Sequence, residues 1–123
     1  MIRQITDSQN LLIPLAIAIV ILAGVSAASA QPVVTIPAVQ TAVEGAFKFF
    51  NPGSFTDSGS GPWAVQVHWG DGTATLASAM ATGSLPKLSH LYGQEGTYTV
   101  TVTVTNAANT SGSAFISVHC FRQ

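Results

Sequence analysis

Residues 97–105 read Thr97-Tyr98-Thr99-Val100-Thr101-Val102-Thr103-Val104-Thr105, five threonines alternating with a tyrosine and three valines. A period of two sends alternate side chains to opposite sides of an extended chain. Tyr98, Val100, Val102 and Val104 therefore share one face and the threonines the other. Slipping the pairing by one residue would turn every valine to water, so the register of such a strand is strongly specified. Its β-branched residues also suit a pleated, half-buried surface.

Working outward, two further stretches have the same period. In residues 63–69, Trp63, Val65, Val67 and Trp69 fall on one face, with Ala64, Gln66 and His68 on the other. In residues 113–121, Ala114, Ile116, Val118 and Cys120 point inward, and Phe115, Ser117, His119 and Phe121 outward. Residues 46–50 are expected to turn Phe47 and Phe49 inward around Lys48. Residues 88–92 give a shorter strand with Leu88, His90 and Tyr92 on one side, and residues 32–43 an initial strand or pair broken at Pro37. Turn formers separate these runs at 51–53, 58–62, 70–72, 93–96 and 106–112. Short strands with turn signals about every ten residues, and no helical period after residue 30, predict an all-β sandwich or small barrel.

Composition narrows the partners. Charged residues are 7% of the 123-residue chain, against about 25% in typical soluble proteins, and the formal net charge is −1. After Ala30 the only lysines and arginines are Lys48, Lys87 and Arg122, too few for the basic face that nucleic-acid binding requires. Disorder is excluded as well, because 47% of the residues are hydrophobic. Cys120 is the single cysteine, so no disulfide forms within one chain. Its inward phase predicts a buried thiol acting as a small apolar side chain.

Residues 1–30 have the layout of a secretory signal peptide. Arg3 lies near the amino terminus, residues 11–25 are an apolar run without charge that is expected to form a helix, and Ser26-Ala27-Ala28-Ser29-Ala30 offers the small side chains a signal peptidase accepts. Cleavage after Ala30 would leave one domain, residues 31–123. The alternative is a retained membrane anchor at residues 11–30, which approach the ~20 residues that span a bilayer. The short apolar run and Pro14 favour cleavage. On either reading the domain is expected to be secreted or held at the cell surface.

Three motifs carry a resemblance. They are Val67-His68-Trp69-Gly70-Asp71-Gly72-Thr73, then Ser89-His90-Leu91-Tyr92, then the strand that begins Gly96-Thr97-Tyr98. Gly53-Ser54-Phe55-Thr56-Asp57 adds a fourth stretch, ahead of the tryptophan strand. From about Val34 to Cys120 the chain resembles the PKD module of polycystins and of bacterial and archaeal surface proteins. The resemblance implies an immunoglobulin-like antiparallel β-sandwich of about seven strands, in which Trp69, Gly70, Asp71, Gly72, His90, Tyr92, Gly96 and Tyr98 are structural. The residues agree: Gly-Asp-Gly suits a reversal at positive φ, Trp69 fills the space between sheets, and Tyr98 is placed like the corner tyrosine of such sandwiches. The chain departs from compact members in its long Ala/Ser-rich stretch at 77–85, and in a final turn, 106–112, without an acidic residue.

Chemistry is harder to find. His68, His90 and His119 fall on three separate strands without metal-ligand spacing, and no G-x-S-x-G elbow or Cys–His arrangement proposes a nucleophile. The chain is therefore read as no enzyme, with no cofactor. Asp57 and Asp71, both in loops, are the side chains that could offer oxygens to calcium, the alternative being turn formation. Asn109-Thr110-Ser111 matches a glycosylation acceptor, meaningful in a eukaryotic secretory path. Phe115 and Phe121, with His119 between them and Gln66 and His68 on a neighbouring strand, would form an apolar-centred, polar-rimmed contact patch if the sheet exposes that face; the alternative is that loops or a neighbouring module cover it. The expected function is a non-enzymatic extracellular binding or spacer module touching protein or polysaccharide. The alternative is a self-assembling surface subunit that associates through sheet edges or Cys120.

Overall fold

The computed structural model describes residues 30–123. The expected signal helix or anchor lies outside the described residues, apart from Ala30. Ten strands follow one another: β1 Val33–Thr35, β2 Gln40–Val43, β3 Phe47–Phe50, β4 Ser54–Thr56, β5 Trp63–His68, β6 Ala74–Ala79, β7 Gly83–Ser84, β8 Leu88–Leu91, β9 Gly96–Thr105 and β10 Ser111–Phe121. No helix occurs among the described residues. One layer is a five-stranded sheet ordered β2-β10-β9-β5-β6.

The other layer is one sheet interrupted by prolines. β3 pairs with β8, placing Phe50 opposite Leu88, and β4 pairs with β7, placing Ser54 opposite Ser84. These two ladders are in phase, so Pro52 stands opposite Pro86. Neither proline can donate a ladder hydrogen bond, which is why the pairing lapses there. The Leu85 N–H still donates to the Gly53 carbonyl at 2.8 Å, bridging the gap. β1 completes this layer against β4.

Proline explains the strand count in the same way. The ten strands arise from seven extended runs, three of them broken at Pro37, Pro52 and Pro86. The expectation of an all-antiparallel sandwich needs one correction, because β2 pairs with β10 in parallel. The first run keeps its direction while crossing at Pro37 from the β1 position in one layer to the other layer, and there it meets β10 running the same way. Ala42 lies opposite Cys120 in this pair, and both are buried.

The alternation read from the sequence holds in β5, β9 and β10. Trp63, Val65, Val67 and Trp69 are all buried, as are Val100, Val102, Val104, Val118 and Cys120. Aromatic pairs bracket the valine layer. Phe55 meets Trp63 edge-on at 5.3 Å between ring centroids, and Phe50 meets Trp69 at 5.4 Å. Each buried valine or phenylalanine contributes about 1.5–3 kcal/mol relative to exposure, which a disulfide-free domain of this size needs.

β3 reverses its expected phase. Phe47 and Phe49 are 77% and 69% exposed, whereas Phe50 is 3% exposed. Hydrophobicity alone favours the phase that buries two phenylalanines. The ladder with β8 decides otherwise, because it carries Phe50 into contact with Trp69 and Tyr92, with Lys48 opposite His90 on the same side. The Lys48 ammonium then reaches over the Phe50 ring, 5.6 Å from its centroid.

Close backbone approach accounts for one glycine in β10. Gly112 faces the incoming chain so tightly that a Cβ would overlap the Pro32 carbonyl. This contact lets the segment before β1 lie across the β9–β10 hairpin, where the Gln31 side chain donates to the Ser111 carbonyl at 2.9 Å.

Candidate contact surface

Register aligns the outward side chains of the five-stranded sheet in rows. Phe115 lies opposite Thr101, which lies opposite His68, which lies opposite Ala74. The next row holds Ser113, Thr103, Gln66 and Leu76, and the next Ser111, Thr105, Ala64 and Ser78. Phe115 is 72% exposed amid this field. The hydroxyls are zipped across strands: Thr103 pairs with Ser113 at 2.8 Å and Thr105 with Ser111 at 2.7 Å. No Asp, Glu, Lys or Arg stands in these rows.

Three of the five expected patch residues, Phe115, His68 and Gln66, thus come together. The other two sit further along β10. His119 contacts Thr97, Nδ1 to Oγ1 at 3.2 Å, and Phe121 is six residues from Phe115, roughly 20 Å along a strand. Phe121 instead joins Val43 and the exposed Phe47 in lining a groove beside β2, floored by Thr41 and Ala42. Leu76, on the same face as Phe115, was not legible. Its strand, Ala-Thr-Leu-Ala-Ser-Ala, puts small or apolar residues on both sides, so no face stands out.

The family-motif residues build a separate, internal cluster. Gly70 has φ +86°, and a Cβ there would meet the Thr99 backbone, so the reversal after Trp69 needs glycine. Asp71 itself does not take positive φ. Its Oδ1 accepts from the Thr73 N–H at 3.0 Å and the Thr73 hydroxyl at 2.5 Å, while Oδ2 lies 2.8 Å from His90 Nε2. Partial burial works to raise the Asp71 pKa, but hydrogen bonds from Thr73 and His90 and the charge of His90 outweigh it, holding the carboxyl below the ordinary carboxylate range. The Trp69 indole donates to the Thr75 hydroxyl at 2.9 Å, and the buried Tyr92 hydroxyl donates to the Trp69 carbonyl at 2.8 Å. The Tyr98 ring stacks on Tyr92 at 4.1 Å, and its hydroxyl donates to the Gln94 carbonyl at 2.8 Å, the upstream backbone bond of a corner tyrosine. Gly96, at φ +148°, opens β9 beside it.

A family model described as the PKD domain matches residues 29–120. The chain belongs to the PKD domain family. Among solved structures, this PKD domain is similar to the PKD domain of a peptidase from a Thermoplasmatales archaeon, with TM-score 0.59 and 20% identity over 75% of this chain and 95% of that one. It is also similar to a chain described among the carbohydrate-binding modules of the β-sandwich superfamily, with TM-score 0.59 and 19% identity over 77% of this chain. The PKD domain spans 35% of that longer chain. At these identities the likeness concerns the fold. No curated protein matches the sequence.

The two loop carboxylates of this PKD domain do not converge. Asp71 lies beyond the Trp69 end of β5 and Asp57 at its Trp63 end, about 20 Å apart for a strand of this length. Asp57 Oδ2 accepts from the Trp63 indole at 2.9 Å and from the Asn106 amide at 3.1 Å. The Trp63 hydrogen bond lowers the Asp57 pKa most; burial opposes it, and Asn106 and the Ser58 and Gly59 backbone add to the lowering. These donors take up Oδ2, while Oδ1 is buried without a hydrogen-bond partner. Asn106, buried and also accepting from the Ala108 and Thr110 N–H groups, was missed in the sequence because loop residues have no periodicity to betray burial. Among the described residues no group of three or more His, Cys, Asp or Glu side chains could hold a metal ion. Cys120 is buried, and burial first, then the Glu44 and Glu95 carboxylates, push its thiol pKa up. A Cys120 disulfide between chains would first require the end of β10 to open and uncover the thiol.

Proposed function

We propose that this PKD domain is a non-catalytic extracellular contact module that holds a neutral polysaccharide against the outer face of its five-stranded sheet. The observation that carries the reading is the exposed Phe115 ring, set in a field of threonine, serine, Gln66 and His68 without a charged side chain. An aromatic ring can pack on the C–H face of a sugar, and the surrounding hydroxyl, amide and imidazole groups can exchange hydrogen bonds with its hydroxyls. A charged polymer would find no counter-charge on this face. The likeness to a carbohydrate-binding module supports the same class of ligand. The export layout of residues 1–30 supports an extracellular setting.

The test is retention of the purified chain on a panel of neutral polysaccharides, including cellulose, chitin, starch and a mixed-linkage glucan. Retention by at least one is expected, weakened tenfold or more by Phe115→Ser. The thermal melt should stay unchanged, since the ring lies on the surface. No retention by any member, or retention indifferent to Phe115→Ser, would overturn the reading.

A further inference from the structure

Strands at the ends of a sheet have backbone groups without ladder partners, and such edges recruit strands of other chains unless something blunts them. Most edges here are blunted. β1 is three residues long between Pro32 and Pro37, β3 carries Lys48, and the β7/β8 run is broken by Pro86 with Lys87 beside it. At the β2 end of the five-stranded sheet, the Lys48 ammonium donates to the Thr41 carbonyl. β6, at the opposite end, has none of these devices. Its ladder with β5 runs without a bulge from Trp63↔Ala79 to His68↔Ala74, and no side chain from Gly72 to Pro86 is charged.

The register fixes which groups β6 leaves free. The Trp69 N–H donates to the Thr73 carbonyl at 3.0 Å, so that facing pair is a hydrogen-bonded one, and pairs alternate from there. Thr75, Ala77 and Ala79 therefore exchange bonds with β5. The N–H and C=O groups of Ala74, Leu76 and Ser78 point to the open edge. The same three residues send their side chains to the outer face, and Leu76 is 77% exposed.

We propose that β6 is a self-association edge, to which a second copy of this chain adds its own β6, antiparallel across a two-fold axis, with Leu76 opposite Leu76 of the second copy. In that register Ala74 falls opposite Ser78 of the other copy. The free N–H and C=O groups of all three residues are then paired on both strands. A two-fold contact must be self-complementary. This segment is so: it sets no like charges against each other, it joins the two exposed leucines, and its other outward side chains are small enough for close approach. A slip by one residue would send Leu76 toward the opposite face, so the side-chain pattern specifies the alignment. A foreign strand chosen by charge would find none to pair with. Two five-stranded sheets then become one continuous sheet with both Phe115 faces on the same side. The contact is small, so association is expected at the weak end for specific interfaces.

Sedimentation velocity of the purified chain, in reductant, over about 10 μM to 1 mM, tests the idea in the range where small interfaces associate. The mass should rise toward twice the monomer. Leu76→Lys charges the exposed edge, and Ser78→Pro removes an N–H that β5 does not use. Each should weaken association at least tenfold with the fold intact by circular dichroism. Leu76→Cys should cross-link under mild oxidation, because facing Cα atoms in a hydrogen-bonded pair lie within disulfide reach. Phe115→Cys, equally exposed, should not. A monomer throughout, a dimer indifferent to both edge variants, or cross-linking through Phe115→Cys as readily as through Leu76→Cys would overturn the proposal.

Discussion

The imidazole of His90 lies flat on the indole of Trp69, with ring centroids 4.4 Å apart and planes 1° from parallel. His90 belongs to one layer of the sandwich and Trp69 follows β5 in the other. The stack therefore joins the sheets, and the Asp71 hydrogen bond to His90 fastens the Gly70-Asp71-Gly72 turn to the same point. Tyr92, two residues on, meets His90 edge-on at 4.6 Å and returns its hydroxyl to the Trp69 carbonyl. The spacing of the family motifs is thus the spacing of one inter-sheet clamp.

Removing the Tyr92 hydroxyl tests that clamp with little change of volume. Burial, and after it the negative charge of Asp71, raise the Tyr92 pKa above the ordinary phenol range, so the group stays a donor at all working pH values. Tyr92→Phe leaves the Trp69 carbonyl without its partner in a dry site. A loss of about 1–3 kcal/mol is expected in urea unfolding. A midpoint equal to wild type would show that the bond does not hold the layers.

The Asp71 carboxylate gives the fold a defined acid dependence. Its folded pKa lies below the reference 3.8, so its contribution is fully present above that value and is lost as pH falls through the depressed folded value. Asp71→Asn should cost about 1–3 kcal/mol at pH ~7, because a hydrogen bond to a charged group is replaced by a weaker one. The gap between wild type and variant should narrow below about pH 4. Urea midpoints of both proteins from neutral to acid pH check this. A gap that widens on acidification would contradict the sign.

How much was legible follows from what each residue's phase depends on. In β5, and in β9 from Tyr98 to Val104, every inward position is apolar or aromatic and every outward one small or polar, so the local pattern has a single solution, and the buried valines and tryptophans sit where the alternation puts them. Phe47-Lys48-Phe49-Phe50 has two solutions, and a long-range fact chooses between them: the ladder with β8, set in phase by Pro52 facing Pro86. That Phe115, His68 and Gln66 share the outer face of one sheet was legible, because it needed only the phases of β5 and β10. Leu76 joins that face, and Val43 meets Phe121 beside β2, through strand neighbours that no local pattern reveals. The parallel β2–β10 pair was hidden for the same reason, since a proline marks a break without saying which sheet receives the chain.

Phenylalanines within β3 separate the two phases by experiment. Phe50→Ala removes a buried ring that touches Trp69 and Tyr92, and should cost about 3–5 kcal/mol. Phe47→Ala and Phe49→Ala take away exposed rings and should fall within about 0.5 kcal/mol of wild type. Thermal melts of the three variants decide, and the reverse order would restore the phase that local hydrophobicity favours.

Cys120 offers a probe of how tightly the end of β10 is held. It lies opposite Gly96 on one side and Ala42 on the other, buried, with its thiol pKa raised by burial and by Glu44 and Glu95. The thiolate is the reactive form, so a disulfide reagent at neutral pH should modify the native chain only at the rate at which β10 opens, and the unfolded chain at once. Cys120→Ser, which places a hydroxyl in the same apolar site, should cost about 1–3 kcal/mol, and Cys120→Ala less. Adding denaturant below the unfolding midpoint should speed labelling of the wild type in step with the opening equilibrium. Rapid stoichiometric labelling of the folded protein without denaturant would instead mean that the β2–β10 seam stands open in solution, and that thiol pairing between chains is again available to it.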